Sequence, residues 1–311
     1  MDSPWRAIIR SPGEVFTSPC LRQSASSTLY RLSDFAGAPD VTKLTVHWTD
    51  VDHAGPSSFA LPPLLTLTHL KIELHDYAKH HRHPPFSAVL GAIMSCRETL
   101  RSCIVSAAVA HLDASWFAQP VVTFPVLEAL SMRDQAANLA LLIAAPKLQC
   151  LTIEGFETCS PRADGLCLSE GAVLYRLKRL LDLSNGCPHL HSLILRFPEL
   201  DKGDLPALLG RLPALTNFEL DAYRDLQATA PLFKALTRDT ACPTTLAFLP
   251  SLANFLMIID EDDGVHFPSI QRWSQAVVKS RQVPLTLNGV RLARLDKIDL
   301  VKRKGGARQQ A

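Results

Sequence analysis

The 311-residue sequence lacks the short motifs that mark several large classes of enzyme. It contains no glycine–lysine phosphate loop, no GxGxxG, no GxSxG and no HExxH, and no two cysteines stand in CxxC spacing. Its histidines and acidic residues show no pairing typical of a catalytic triad or a carboxylate dyad. We therefore expect no enzymatic activity, no metal and no cofactor. Because catalytic residues can meet only in the folded chain, an α/β enzyme with its site at the strand C-terminal ends stays as the alternative.

The sequence also lacks a charge excess and a long hydrophobic run. Its 32 basic and 30 acidic residues leave a formal net charge of +2, which gives no electrostatic reason to expect a nucleic acid or a membrane as partner. The apolar run 138–146 is too short to span a bilayer, and the first residues have no sustained apolar core typical of a secretory signal. Several of the eight cysteines fall within apolar patterns, which favours buried thiols in a reduced, cytoplasmic or nuclear protein.

What the sequence does contain is a repeat. The stretch Cys187–Leu195, CPHLHSLIL, has the skeleton Leu-x-x-Leu-x-Leu, and conservative variants of this skeleton occur nine times at irregular spacing. The nine copies begin at Val41, Leu67, Leu100, Leu127, Leu148, Leu190, Leu215, Leu252 and Leu295. Irregular spacing indicates loops and helices of variable length between constant strands.

Each copy predicts a strand, because its last apolar positions alternate with variable ones. Five copies have a proline two residues before the first leucine, where a preceding helix would end and no ladder hydrogen bond is lost: Pro125, Pro146, Pro188, Pro213 and Pro250. Between the copies the pattern predicts helices at 86–94, 174–183, 205–209, 231–236 and 270–278. Alternating strands and helices predict an α/β fold with parallel strands. A closed α/β barrel alternates in the same way, but its strands are usually continuous apolar runs.

If the nine strands pair in register, the variable positions form two ladders across the sheet. The central ladder is Thr45, Lys71, Ile104, Ser131, Thr152, Ile194, Glu219, Leu256 and Asp299. The second, two residues later, is His47, Glu73, Ser106, Arg133, Glu154, Arg196, Asp221, Ile258 and Val301. The charged members predict a mixed-charge, protein-binding face formed by Lys71, Glu73, Arg133, Glu154, Arg196, Glu219 and Asp221. The alternative is that neighbouring charges merely pair across strands and stay solvated.

Three further polar clusters have simpler interpretations. The histidine-rich segment 75–83 has no closed zinc-ligand spacing and is better explained as a solvated loop. The acidic run 260–264 fails the calcium-loop pattern at its later positions and predicts a turn. The basic segment 301–308 is a weak nuclear-import signal and a better candidate for a solvated terminus.

The nine copies resemble leucine-rich repeats, over about residues 41–301. The CPHLHSLIL-type units, the proline entries and the ending 276–298 are similar to the repeats of fungal F-box/leucine-rich-repeat proteins. The resemblance implies an irregular right-handed horseshoe, with strands on the concave face and helices on the convex face. It also implies a substrate receptor of a cullin–RING ubiquitin ligase, which binds a protein on its concave face and a cullin-ligase adaptor through the F-box.

The resemblance covers the repeats only. No complete F-box is visible, and the segment Trp5–Pro12 resembles at most the end of one. We therefore expect an N-terminal cap over residues 1–40, a repeat domain over 41–301 and a flexible basic tail over 302–311.

Overall fold

The computed structural model describes residues 5–8, 30–31, 41–48, 66–74, 86–107, 119–155, 172–197, 205–222, 229–239, 246–260, 267–283, 285–287, 289–295 and 298–303. In these residues the strands are β1 (Trp5–Ile8), β2 (Tyr30–Arg31), β3 (Lys43–Trp48), β4 (His69–Leu74), β5 (Ser102–Ala107), β6 (Val122–Thr123), β7 (Ala129–Asp134), β8 (Ile143–Ala144), β9 (Cys150–Glu154), β10 (Ser192–Phe197), β11 (Asn217–Ala222), β12 (Asn254–Asp260), β13 (Thr286–Leu287), β14 (Val290–Arg291) and β15 (Ile298–Arg303).

Nine of the described strands form one parallel sheet, and each of the nine begins within one copy of the predicted repeat. Their order is β3-β4-β5-β7-β9-β10-β11-β12-β15, so strands that follow one another in the chain also pair in space. The antiparallel strands β1 and β2 extend the sheet beyond β3. The order ends at β2 and at β15, and no ladder joins these two strands in the described residues. The protein is therefore an α/β protein with a large parallel sheet, and the closed-barrel alternative does not fit the described strands.

The helices agree with the predicted ones and are mostly longer. They are α1 (Phe86–Met94), α2 (Ala172–Leu183), α3 (Leu205–Leu209), α4 (Ala230–Leu236) and α5 (Phe267–Gln282). The connection between β7 and β9 differs from the predicted alternation, because it contains a 3₁₀ helix, Gln135–Leu141. Five consecutive residues of this helix are buried, including the polar Asn138, so the segment has no amphipathic period from which a helix could be predicted.

The leucine skeleton faces the helices and forms the core. The first skeleton position is buried in every copy, from Val41 at 3% exposure to Leu295 at 0%. The second and third positions are buried from β3 to β12 and partly buried in β15, where Ile298 and Leu300 pack against the same core. Strand residues and helix residues such as Leu177 and Ile270 belong to one hydrophobic cluster. Burial on one face of every strand is what alternation with period two predicts.

A repeated pair of backbone hydrogen bonds joins neighbouring units at the start of seven of the nine strands. The carbonyl of the residue after the first skeleton position accepts two N–H groups from the next unit, as when Gln149 accepts from His191 and Ser192 at 3.0 Å each. Seven carbonyls do this: Thr42, Thr68, Arg101, Glu128, Gln149, His191 and Thr216. The same backbone arrangement therefore recurs across unequal loop lengths.

The entry prolines occupy the second position of tight turns. In the opening motif, the Leu190 N–H donates to the Cys187 carbonyl at 3.0 Å across Pro188. The other four prolines are spanned in the same way, by the N–H groups of Leu127, Leu148, Leu215 and Leu252. Proline suits this position because its fixed φ matches the turn.

Two predicted domain boundaries can be compared with the strands. The last strand, β15, runs to Arg303, two residues beyond the predicted end of the repeat domain at 301. The segment that begins at Trp5 contributes β1, which pairs with β3, while residues 9–29 and 32–40 lie outside the described residues. None of the helices in the described part of the chain is both long and apolar enough to cross a membrane.

Candidate functional site

The sheet face opposite the helices carries the variable positions of the repeat, and we call it the open face. The central and second ladders predicted from the sequence are both confirmed, because every pair of neighbours in them is a register pair. A further row precedes them, formed by Lys43, His69, Ser102, Ala129, Cys150, Ser192, Asn217 and Asn254. The described side chains of these three rows are half-buried or exposed, with Asp221 as the exception. A parallel sheet covered on both faces would bury them, so this face is accessible.

In three ion pairs of the open face the basic side chain is more exposed than its acidic partner. The basic side chains Lys71, Arg133 and Arg196 are 41%, 47% and 35% exposed. Their partners Glu73, Glu154 and Glu219 are only 17%, 17% and 16% exposed. At these pairs the cation is therefore outermost, whereas Asp299, a charge of the central ladder outside these pairs, is itself exposed.

The ion pairs are densest at four residues, which we call the arginine row. They are Arg133, Glu154 and Arg196 of the second ladder, and Glu219 of the central ladder on the neighbouring strand. The Nε of Arg133 lies 3.2 Å from Glu154 Oε2, and the Nε of Arg196 donates to Glu219 Oε1 at 2.8 Å. The Nη1 of Arg196 stands 3.8 Å from the same Glu154 oxygen. The Arg196 guanidinium is thus held by a hydrogen bond through its inner nitrogen, whereas Arg133 and Glu154 form an ion pair without hydrogen-bond geometry. Both ion pairs cross from strand to strand.

Arg196 is held in its charged form by this environment. Burial alone lowers the pKa of Arg196, but the hydrogen bond to Glu219 and the charges of Glu219, Glu154 and Asp221 outweigh it and raise that pKa. A permanently ionised guanidinium next to sheltered carboxylates presents fixed N–H donors to a ligand.

Asp221, which was predicted as a partner contact, does not belong to the accessible surface of the open face. It occupies the predicted ladder position but is only 2% exposed. Its charge contributes to the raised pKa of Arg196, so it supports the row from below. The ladder position follows from the period of two, whereas burial depends on the packing around the end of β11, which the pattern does not encode.

Beside the arginine row lies a band of short, uncharged side chains that the sequence interpretation did not single out. On β5, β7, β9 and β10 the first row and the central ladder contribute Ser102, Ala129, Cys150, Ser192, Ile104, Ser131, Thr152 and Ile194, all half-buried. We call these eight residues the neutral band. The first row of the neutral band lies two residues before the central ladder in each strand. The alternation of side chains along a strand could therefore have predicted it from the sequence.

Of the other sequence-derived candidates, most fall outside the described residues. This holds for the histidine-rich segment 75–83, for acidic residues 261–264 and for tail residues 304–311. Lys302, which was assigned to the tail, lies in β15 with its Nζ 4.0 Å from the centre of the Phe267 ring. Within the described ranges no group of three or more His, Cys, Asp or Glu residues is arranged to hold a metal ion.

Comparisons with known proteins give no assignment. No family model, no curated protein and no solved structure matches this chain.

Proposed function

We propose that the chain is a leucine-rich-repeat solenoid, an irregular horseshoe, that acts as a non-enzymatic scaffold and binds a protein on its open face. The observation that carries this proposal is an accessible, nine-strand face on which Arg133 and Arg196 are paired with less exposed glutamates. Repeated units in chain order, joined by the same backbone hydrogen bonds, support the solenoid. Such a surface binds by shape and charge complementarity and needs no cofactor.

The resemblance to fungal F-box proteins extends this proposal to a biological setting. By that resemblance the chain is the substrate-recognition part of a cullin–RING ubiquitin ligase receptor, with a protein substrate on the open face and a cullin-ligase adaptor as further partner. The enzyme alternative places its site in the loops after the strands, such as residues 156–171 and 223–228, which lie outside the described part of the chain. No described observation favours it.

The test is quantitative affinity capture from a fungal extract, with mass spectrometry of the bound proteins. Arg133→Glu reverses the most exposed charge of the arginine row, and we expect it to lower the recovery of specific partners about tenfold. The matched control is Arg97→Glu, because Arg97 is 49% exposed in the turn after α1 and also pairs with a glutamate.

Both variants are expected to keep the circular dichroism spectrum of the wild type, because an exposed ion pair contributes less than about 1 kcal/mol to stability. Equal recovery of partners by Arg133→Glu and Arg97→Glu would remove the open face as the binding surface. Recovery of the cullin adaptor by the wild type would support the ligase setting, and its consistent absence among other partners would contradict it.

A further inference from the structure

The last strand of the parallel sheet has an edge that pairs with no other strand in the described residues. β15 pairs with β12 on one side, and the strand order ends there. Such an edge leaves a row of backbone N–H and C=O groups to which another chain can pair. The core is also incompletely covered at this end, because Ile298 and Leu300 are only partly buried and Val301 is 47% exposed. β15 therefore offers both backbone hydrogen bonds and apolar surface to a further strand.

The hydrogen bonds of the neighbouring strands indicate which residues of β15 face this edge. A residue of the open face directs its backbone N–H group to the preceding strand, as Asn254 of β12 does at 2.9 Å. Successive residues of a strand direct their backbone groups to opposite sides. Asp299 and Val301 belong to the open face, so their backbone groups point to β12. The backbone groups of Leu300 and Lys302 therefore point to the free edge.

The lysine of β15 is directed away from the edge. Lysine side chains on an edge strand commonly oppose pairing with another chain, because pairing would bring their charge out of water. The Nζ of Lys302 instead lies 4.0 Å from the centre of the Phe267 ring at the start of α5. This cation–π contact holds the ammonium against the helix, so a second strand can approach the edge without displacing it.

The sequence of β15 is complementary to itself in one antiparallel register. If two copies pair about a two-fold axis at Val301, this residue stands opposite its own copy and Asp299 stands opposite Arg303. Directly opposite residues of an antiparallel pair project from the same face, and opposite charges at such positions attract. A register centred on Leu300 would instead place Arg303 opposite Lys297, which has the same charge. The charges therefore select the register centred on Val301.

We propose that two copies of this chain associate by antiparallel pairing of their β15 strands, centred on Val301. Backbone hydrogen bonds form between Leu300 of one copy and Lys302 of the other, and the two open faces lie on the same side of a continuous sheet. One pair of strands buries less surface than a tight dimer needs, so we expect a dissociation constant on the order of 10–100 µM. The association goes beyond the proposed function, because it does not depend on a protein bound to the open face.

Analytical ultracentrifugation of the full chain, at concentrations from about 1 to 500 µM, tests the association. Asp299→Arg and Arg303→Asp each place like charges opposite each other on both sides of the axis, and we expect each to weaken association about tenfold. An equimolar mixture of the two variants brings opposite charges together again in the mixed dimer, so it should associate as tightly as the wild type. Arg272→Glu, at an exposed position of α5, changes the net charge as much as Arg303→Asp and should leave association unchanged.

An engineered disulfide locates the two-fold axis. In the proposed register the two Val301 positions form a pair without direct backbone hydrogen bonds, with Cα atoms about 4.5 Å apart, which a disulfide can span. Oxidised Val301→Cys should therefore form a disulfide between two copies, identified by mass spectrometry as a link between two peptides that contain residue 301. Asp299→Cys is the matched control, because an offset of four residues separates its two copies by about 14 Å.

The proposal is wrong if the full chain stays monomeric at every concentration, or if the mixture of variants associates no more tightly than either variant alone. It is also wrong if a dimer forms but is unaffected by both charge reversals, or if Asp299→Cys links two copies as readily as Val301→Cys. None of these results bears on protein capture by the open face, which the Arg133→Glu variant tests separately.

Discussion

The most consequential single residue for stability is a charged one inside the core. Arg281 of α5 is fully buried, and its guanidinium donates to the carbonyls of Leu236, Phe248 and Leu249 at 2.9, 2.8 and 3.1 Å. Burial, followed by the charge of Arg238, lowers the pKa of Arg281 to about 9, so the group stays ionised at neutral pH. It therefore ties α5 to the end of α4 and to the turn before β12.

Replacing Arg281 by methionine should destabilise the protein strongly. The apolar side chain fills similar space but removes a donor from all three carbonyls, and only the carbonyl of Leu249 has a further described donor, the Leu252 N–H. Each unsatisfied carbonyl costs about 1–3 kcal/mol, so we expect the free energy of unfolding in urea to fall by about 2 kcal/mol or more. Arg272→Met on the exposed side of the same helix is the control and should change it by less than about 0.5 kcal/mol. Equal effects of the two variants would show that the three hydrogen bonds contribute nothing.

Neither Arg281 nor Asp221 could be placed correctly from the sequence. Charged residues are almost always exposed, so a pattern assigns them to the surface unless a specific partner is known. The partners of Arg281 are backbone carbonyls 32 to 45 residues away. Every residue has such a carbonyl, so the sequence does not indicate which ones accept a hydrogen bond from Arg281. Asp221 was given the right ladder position and the wrong burial for the same reason.

At the scale of elements, the strands and their register could be predicted because one rule generates all of them. A period of two fixes which side chains face the core, and a one-residue slip would expose the whole leucine skeleton. The small hairpin β13–β14 was missed, although the sequence Asn288-Gly289 is a typical hairpin signal and Gly289 has the positive φ, 79°, that such a turn needs. The neutral band was not predicted, because uncharged side chains in a sequence do not indicate a binding surface until the structure shows that they lie together on one face of the sheet.

The opening motif gives a direct test of this rule. Leu193 and Ile194 are neighbours in β10, but Leu193 is fully buried and Ile194 is half-buried on the open face. Leu193→Ala should lower the free energy of unfolding by about 2–5 kcal/mol, because it leaves a cavity in the core. Ile194→Ala removes a side chain that is already partly in water and should cost about 1 kcal/mol. Urea unfolding followed by circular dichroism measures both, and equal losses would contradict the assigned register.

At the scale of the whole molecule, the two faces of the sheet differ in their accessibility to solvent and to a partner. One face is sealed by helices and contains the core, while the other is accessible and carries fixed cations. The four cysteines in the described part of the chain form no disulfides and lie in both environments. Cys96, Cys103 and Cys187 are buried with the core, whereas Cys150 is half-buried on the open face.

The thiols should therefore react in two groups. Burial raises the pKa of Cys187 to about 11 and of Cys96 to about 12, and it raises that of Cys103 further still. At about pH 8 these three are almost entirely protonated and screened from reagent, so they react only when the structure opens. Burial also raises the pKa of Cys150, but less of its side chain is covered, and we expect it to be modified on the order of a hundredfold faster.

Timed labelling with N-ethylmaleimide and peptide mass spectrometry would measure these rates, and labelling in denaturing urea, where all four thiols should react alike, is the control. Slow labelling of Cys150 in the native protein would mean that the open face is covered. A covered face would contradict the scaffold function, because that function requires that a partner reach the open face.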